Sequence, residues 1–385
     1  MLTTSIAVVL VLGGLIFFHE LGHFLMARSL GMGVSVFSLG FGPKLLKYKA
    51  GKTEYALSLI PLGGYVALVG ESNQEDLPAG FSKEESFALR PAWQRLMVVA
   101  AGPAANILLA WLLCWVLAFG WGTPVLLPDV GAVNENSPAA VAGIQAGDRI
   151  LSINGTPVPS WEAMSETVAR NGGKPMRVEV ERAGRGATVP TGPDANGERG
   201  QGWTAEPQRL TLTVTPERAV RKTIFGEEET AWLMGVRAAA HVSNERHGFW
   251  ASASAGARQT WEMVSLTWQS FVKLAQRIVP IDQVGGPIMI VQLVSDQAHK
   301  GLAGLLALTA LISVNLGILN LLPIPILDGG QIVFCLWEIL FRRPLNARVQ
   351  EYAMRVGLAL LICLMLLATY NDIWRLVKKA GWLGA

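Results

Sequence analysis

The run Ser5–Ala27 is apolar over a length that can cross a bilayer, yet it contains His19, Glu20 and His23. Hydrocarbon offers no partner for a peptide N–H or C=O, so a run of this kind is constrained to be a helix. On a helix, residues four apart share a face, which sets His19 beside His23 with Glu20 between them. About nine residues separate His19 from the flanking Arg28, and at a ~1.5 Å rise this immerses the motif roughly 13 Å from that charge. Ionisable groups at such depth are costly, and their default reading is functional. Histidines at i and i+4 are a metal-binding pair suited to Zn²⁺, and the intervening Glu20 is a candidate general base for hydrolysis within the membrane.

Composition supports a polytopic membrane protein with a water-exposed portion. Hydrophobic residues make up 51% of the 385, charged residues only 16%. A net charge of +3, with no Lys/Arg run, gives no argument for nucleic acid. Cys114, Cys335 and Cys363 fall in apolar segments and read as small hydrophobes, not as a disulfide framework. The N-terminus lacks the basic region and small-residue cleavage site of a signal peptide, so the first run reads as a retained anchor.

Further spans are expected at Leu96–Trp121, Leu302–Ile326 and Val356–Tyr370. The first connection carries Arg28, Lys44, Lys47, Lys49, Lys52, Lys83, Arg90 and Arg95, and the last connection carries Arg342, Arg343 and Arg348. Both connections are therefore expected in the cytoplasm, which leaves the long central segment outside it. Arg375, Lys378 and Lys379 near the C-terminus run against this assignment.

Val34–Val69 is rich in β-formers, with turn signals at Ala50-Gly51 and Gly63-Gly64. Two readings fit: a sheet that covers the bundle, or a membrane-associated sheet whose open edge pairs with an extended substrate. Between Gly131 and about Pro216 the character changes. Ser137 to Gly155 reads as a capped helix, a glycine turn and a short strand. A second helix over Trp161–Arg170 and strands at Met176–Glu181 and Leu210–Val214 follow. This order, with Ala142-Gly143-Ile144-Gln145-Ala146-Gly147-Asp148, resembles a PDZ domain, for which peptide strand addition and passive gating are both open. Ala183–Gln208, rich in Gly, Pro and charge, reads as a surface insertion. Trp250–Ile278 is helical in pattern, fitting either an interfacial helix with Trp250, Trp261 and Trp268 at the lipid boundary or a soluble helix pair. His241, His247 and His299 show no ligand spacing and read as solvated.

Two histidines leave a catalytic zinc site one protein ligand short. Asp328 is the candidate third, in Asn320-Leu321-Leu322-Pro323-Ile324-Pro325-Ile326-Leu327-Asp328-Gly329-Gly330. Pro323 and Pro325 break the helix, and irregular backbone at membrane depth is tolerated only when buried or lining a watery cavity. The plain alternative is a kinked helix end with an exposed Asp cap.

Together these motifs resemble the site-2 protease family of intramembrane zinc metalloproteases, of the bacterial RseP type. Gly40-Phe41-Gly42-Pro43, Pro61 to Val66, Gly102-Pro103-Ala104-Ala105-Asn106 and Val284 to Ile288 resemble segments of the same family. The resemblance implies that His19, His23 and Asp328 bind Zn²⁺ and that Glu20 is the catalytic acid/base. It also implies that Asn320 helps to hold substrate, and that the Val34–Val69 sheet pairs with it, here assigned to Leu39, Gly40, Phe41 and Gly42.

The expected architecture is a polytopic α-helical membrane protein of about four transmembrane helices, with a membrane-associated β-sheet and an extracytoplasmic PDZ-like α/β domain. Its parts are 1–125 (two helices and the sheet), 126–220 (the PDZ-like domain), 221–298 (linker and interfacial helices) and 299–385 (the last two helices). The expected partners are the bilayer, a peptide at the PDZ-like domain, and single-pass transmembrane substrates such as anti-sigma factors or signal-peptide remnants, cut after a first cleavage elsewhere. The expected location is the bacterial inner membrane. A zinc transporter and a silent PDZ scaffold are the competing classes. The first has no need of a base at Glu20, and the second gives the immersed His, Glu and Asp no purpose. One PDZ-like unit fits where some relatives carry two, and Gln331 stands where some have His.

Overall fold

The computed structural model of the chain describes residues 2–71, 77–183, 207–283 and 285–379. It divides into two compact units, 1–120 with 248–385, and 121–247. Most of the insertion read at Ala183–Gln208, and Val284, lie outside the described residues.

In the first unit, α1 (Leu2–Ser29) leads into β1 (Val34–Ala50) and β2 (Thr53–Leu68), and then α2 (Ala92–Gly120). Both strands double back, so each contributes two segments. Lys44–Ala50 pairs with Thr53–Ser58 across the turn at Gly51, as the sequence signals. Val36–Leu39 pairs with Glu54–Leu57 on one side and with Gly64–Ala67 on the other. The reversal in β1 needs residues with positive φ, and Gly40 (φ +91°) and Gly42 (φ +85°) supply them without a Cβ penalty.

This arrangement corrects the expectation for Leu39. Leu39 faces Gly64 on one side and Leu57 on the other, so it lies inside the sheet and offers no free edge. Gly40, Phe41 and Gly42 form the bend that follows it, with Phe41 stacked on Tyr65 at a centroid distance of 6.2 Å. Among the described residues, the open edge beside α1 is Gly64–Leu68.

In the second unit, β3 (Thr123–Leu126) and β4 (Val130–Val133) precede α3 (Pro138–Ala142), β5 (Arg149–Ile153), β6 (Thr156–Pro157), α4 (Trp161–Arg170), β7 (Met176–Arg182) and β8 (Gln208–Val214). Ser137 caps α3 by accepting the Ala140 N–H, and Gly143 ends the helix at φ 85°. An antiparallel sheet in the order β6-β5-β7-β8 buries Ile150, Ile153, Met176, Val178, Val180 and Val214 against α3 and α4. Alternation along β7, with Met176, Val178 and Val180 inward, makes that face.

Residues from 221 onward, expected as a linker, continue this unit. They follow β9 (Glu217–Lys222) through β10 (Glu228–Leu233), β11 (Val236–Ala238) and β12 (Val242–Glu245). β11 pairs with β4 and β12 with β3, so the chain closes the unit where it began. The apolar pattern in these strands is short, which in the sequence alone reads as a linker.

Back in the first unit, α5 (Phe249–Ala275) is one continuous helix, not a pair. It buries Ala255, Gly256 and Thr260, while Trp250, Trp261 and Trp268 stay exposed. α6 (Pro287–Lys300), α7 (Leu302–Asn320), α8 (Asp328–Phe341) and α9 (Ala347–Lys379) follow. Among the described residues, four helices are long and apolar enough to cross a membrane: α1, α2, α7 and α9. The third ends at Asn320 rather than Ile326, because Pro323 and Pro325 remove N–H donors from the ladder. The last is longer than Val356–Tyr370 at both ends, where charged residues mask the helix in a hydropathy reading.

Candidate active site

α1 brings His19 and His23 onto one face, with the ring centroids 4.8 Å apart. α2 runs directly behind them. A Cβ at Gly102 would meet the His23 ring and fall within 2.9 Å of His19 Cε1, so only glycine lets the two helices approach here.

The other ring nitrogens are held from α2. His23 Nδ1 lies 2.8 Å from the Val98 carbonyl oxygen, which can only accept, so in the neutral ring the proton sits on Nδ1 and Nε2 carries the lone pair. His19 Nδ1 lies 3.2 Å from the Asn106 side-chain amide. The amide's Oδ1 is buried with no hydrogen-bond partner, and a half-turn of the group gives it the His19 Nδ1–H. Both imidazoles then direct Nε2 inward.

Asp328 reaches the same point from the other side. The chain leaves α7 at Asn320, turns through the prolines and starts α8 with Asp328. Arg95 of α2 and Glu338 of α8 form a 2.6 Å ion pair that ties α8 down. His19 Nε2 and His23 Nε2 are 3.2 Å apart. Asp328 Oδ2 lies 3.2 Å from His19 Nε2, and Oδ1 lies 3.6 Å from His23 Nε2. With both ring protons on Nδ1, lone pairs of two imidazoles and a carboxylate converge, an arrangement that repels unless a cation lies between them. Two imidazoles and one carboxylate are a donor set suited to zinc. Among the described residues, no other three His, Cys or carboxylate groups come this close.

Glu20 and β2 complete the cleft. A Cβ at Gly64 would lie 3.4 Å from Glu20 Cγ, so the Glu20 side chain lies directly against β2. Tyr65, Val66 and Leu68 line the same cleft as His19, Glu20, His23 and Asp328, with Gln331 at its side. Asn320 Nδ2 lies 3.3 Å from His19 Nε2, so the last residue of α7 is also at the centre. His19, Glu20, His23, Asn320 and Asp328 are thus brought together, whereas Leu39 lies back within the sheet. His241 and His247 belong to the second unit, where they bond Asp129 and Thr123. His299 caps its own helix through Ser295.

Asn106, which the sequence marks only as the end of a family-like segment, has a role that spacing alone does not assign. A lone, fully buried Asn within an apolar span was the available signal.

A family model described as peptidase family M50 matches residues 7–364. A Campylobacter jejuni protein named "Putative zinc metalloprotease" is 36% identical over 97% of this chain and 94% of its own length. An Agrobacterium fabrum protein with the same style of name is also 36% identical, over 96% of this chain and 95% of its own. The "Regulator of sigma-W protease RasP" of Bacillus subtilis is 28% identical over 97% of this chain and 99% of its length.

Proposed function

The chain belongs to peptidase family M50 and is a metalloprotease, and from that premise we propose that it is an intramembrane zinc endopeptidase acting on single-pass transmembrane proteins. The observation that carries this reading is the convergence of His19, His23 and Asp328 beside Glu20, on helices apolar enough to span a bilayer. His19, His23 and Asp328 are proposed as the ligands, with Asn106 and the Val98 carbonyl fixing the two rings. A zinc ion held by these residues would supply Lewis-acid chemistry, lowering the pKa of a water toward neutrality and polarising the scissile carbonyl. Glu20 takes a proton from the attacking water on its carboxylate and returns it to the leaving amine. Asn320 donates from Nδ2 toward the developing oxyanion.

A transmembrane helix hides its carbonyls in its own hydrogen bonds, so a substrate must unwind first. Freed peptide groups left unpaired in lipid cost several kcal/mol each. The open Gly64–Leu68 edge supplies partners beside Glu20, which supports substrate pairing there in place of Leu39–Gly42. Unit 121–247 is proposed as the PDZ-like, extracytoplasmic part that limits access or contacts an extended peptide. The Lys/Arg-rich connections support that orientation in a bacterial inner membrane. The RasP name supports substrates of the anti-sigma type, and leftover signal peptides are a second substrate group, each cut after a first cleavage outside the bilayer.

The test is Glu20→Gln in the full-length protein. Cleavage of a transmembrane substrate falls by about 10²–10⁴-fold while bound zinc stays stoichiometric. Trapped, truncated single-pass proteins then accumulate in membranes of cells carrying the variant, and undiminished turnover would sink the reading.

A further inference from the structure

Charge stops abruptly along α9. Arg348, Glu351 and Arg355 stand in its first turns, and no residue from Val356 to Tyr370 is charged. A helix of this kind passes from headgroups into hydrocarbon near Val356, roughly 12 Å along its axis from Arg348. Over that stretch α9 and the proline break do not close on each other. Arg348, Val349, Tyr352, Ala353 and Val356 share one face of the helix and, with Pro325, line an open groove of about 580 Å³. Small-ligand sites occupy roughly 300–1,000 Å³. The two elements meet just beyond the groove, where a Cβ on Gly357 would lie 3.3 Å from Pro325 Cδ. Val349, Tyr352 and Val356 are each more than half exposed, so among the described residues the apolar floor has no protein cover.

The mouth of the groove is cationic. Arg348 lies there, and Arg342 and Arg343 belong to the short connection between α8 and α9. Between Gly329 and Asn371 the carboxylates are Glu338 and Glu351. Both are engaged, Glu338 by Arg95 and Glu351 by Arg355, each at 2.6 Å. Arg342, Arg343 and Arg348 are left without a carboxylate partner among the described residues. The N-terminus of α9 adds its positive end at the same place, with Asn346 Oδ1 accepting the Arg348 N–H at 2.9 Å.

We propose that this groove binds an anionic phospholipid, with its phosphate at the arginine mouth and an acyl chain on Pro325, Val349, Ala353 and Val356. The two ends together define the ligand. Free phosphate has nothing to lay on the apolar floor, and a zwitterionic lipid brings its own cation to the arginines. A substrate helix could fill the floor, but it supplies no fixed anion at the mouth. Tyr352, an amphipathic side chain between the two ends, suits the headgroup boundary. The lipid then rests on the break that carries Asp328, three residues beyond Pro325. The site is independent of which substrate the cleft takes.

Native mass spectrometry of the full-length protein in non-ionic detergent tests it, by titration with phosphatidylglycerol or phosphatidylcholine of matched chains. One phosphatidylglycerol binds per chain, at least about tenfold tighter than phosphatidylcholine. Arg348→Gln weakens phosphatidylglycerol by about fivefold, the effect of one cation at an anionic headgroup, and leaves phosphatidylcholine unchanged. Ala353→Phe fills the floor and weakens both lipids, and Ala353→Leu serves if that variant does not accumulate. Arg355→Gln removes a cation already paired with Glu351 and leaves both lipids as they were. Equal binding of the two lipids overturns the proposal. An effect of Arg355→Gln as large as that of Arg348→Gln also overturns it, because diffuse surface charge then suffices. Lipid binding that survives in the Ala353 variants while substrate cleavage is lost would give the groove to substrate instead. Displacement of the lipid by an equal concentration of glycerol phosphate would leave a phosphate site with no chain, which sinks the lipid assignment.

Discussion

Asp328 Oδ2 lies 3.2 Å from His19 Nε2, although the two side chains come from helices at opposite ends of the chain. The contact exists because α7 stops at Asn320 and the prolines turn the backbone before α8 begins. An uninterrupted helix would carry residue 328 two turns further along its axis. The break that looks like a defect in a transmembrane span therefore delivers the carboxylate.

Asp328→Asn is expected to lower zinc content and proteolysis in parallel. The amide keeps the shape but loses the negative charge that two neutral imidazoles need to hold a dication. Metal analysis of the purified variant beside its cleavage rate checks this, and full zinc with full activity would remove Asp328 from the ligand set.

Gly102→Ala tests the backing helix. The added methyl must displace the His23 ring, yet Val98 pins that ring at 2.8 Å, so the two demands conflict. We expect zinc affinity to fall by at least about tenfold, as for disturbed outer contacts of a metal site. Competition with a chelator measures it, and wild-type retention would show that α2 can move away at no cost.

Asn106→Ala removes the partner of His19 Nδ1 and leaves the ring free to rotate or change tautomer. A loss of about 10–100-fold in zinc affinity is expected. Asn106→Asp, which keeps an acceptor for the Nδ1–H, recovers part of it. Equal losses in both variants would mean that Asn106 acts through packing alone.

Much of this site can be read from spacing. His19, Glu20 and His23 announce themselves because polar groups four apart in an apolar run have few structural uses. Asp328 follows because few carboxylates lie near an apolar span. What spacing does not reveal is which strand is outermost. Val36–Leu39 and Gly64–Leu68 are both β-forming, and only the doubling back at Gly40 and Gly42 puts Leu39 inside and leaves Val66 at the edge. Asn106 and Val98 were equally hidden. Their roles depend on which face of α2 meets α1, and an evenly apolar helix does not advertise its face. The strands β11 and β12 are not legible in the sequence because their partners, β4 and β3, lie about a hundred residues earlier in the chain and pairing over that distance leaves no local pattern, whereas β9 and β10 form a local hairpin with few inward apolar residues.

The last prediction concerns the second unit. Asp129 is buried beside β4, where it accepts hydrogen bonds from Arg149 Nε at 2.6 Å and Nη2 at 3.0 Å, and meets His241 Nδ1 at 2.9 Å. Burial alone would raise its pKa, but the hydrogen bonds from Arg149 and His241 outweigh that and hold the carboxyl below its ordinary range. A carboxyl whose pKa is depressed in the folded state adds stability above its unfolded value, about 3.9, and loses it as pH falls through the folded value. Because Arg149 is about half exposed, the contribution is small, roughly 1–2 kcal/mol. Amide exchange in β4, β5 and β11 should therefore speed up between pH 5 and pH 3, about tenfold beyond the intrinsic change. Asp129→Asn should exchange faster already at pH 5 and show little further acceleration. If the native protein and the variant respond to acid alike, the pair contributes no pH-dependent stability to this unit.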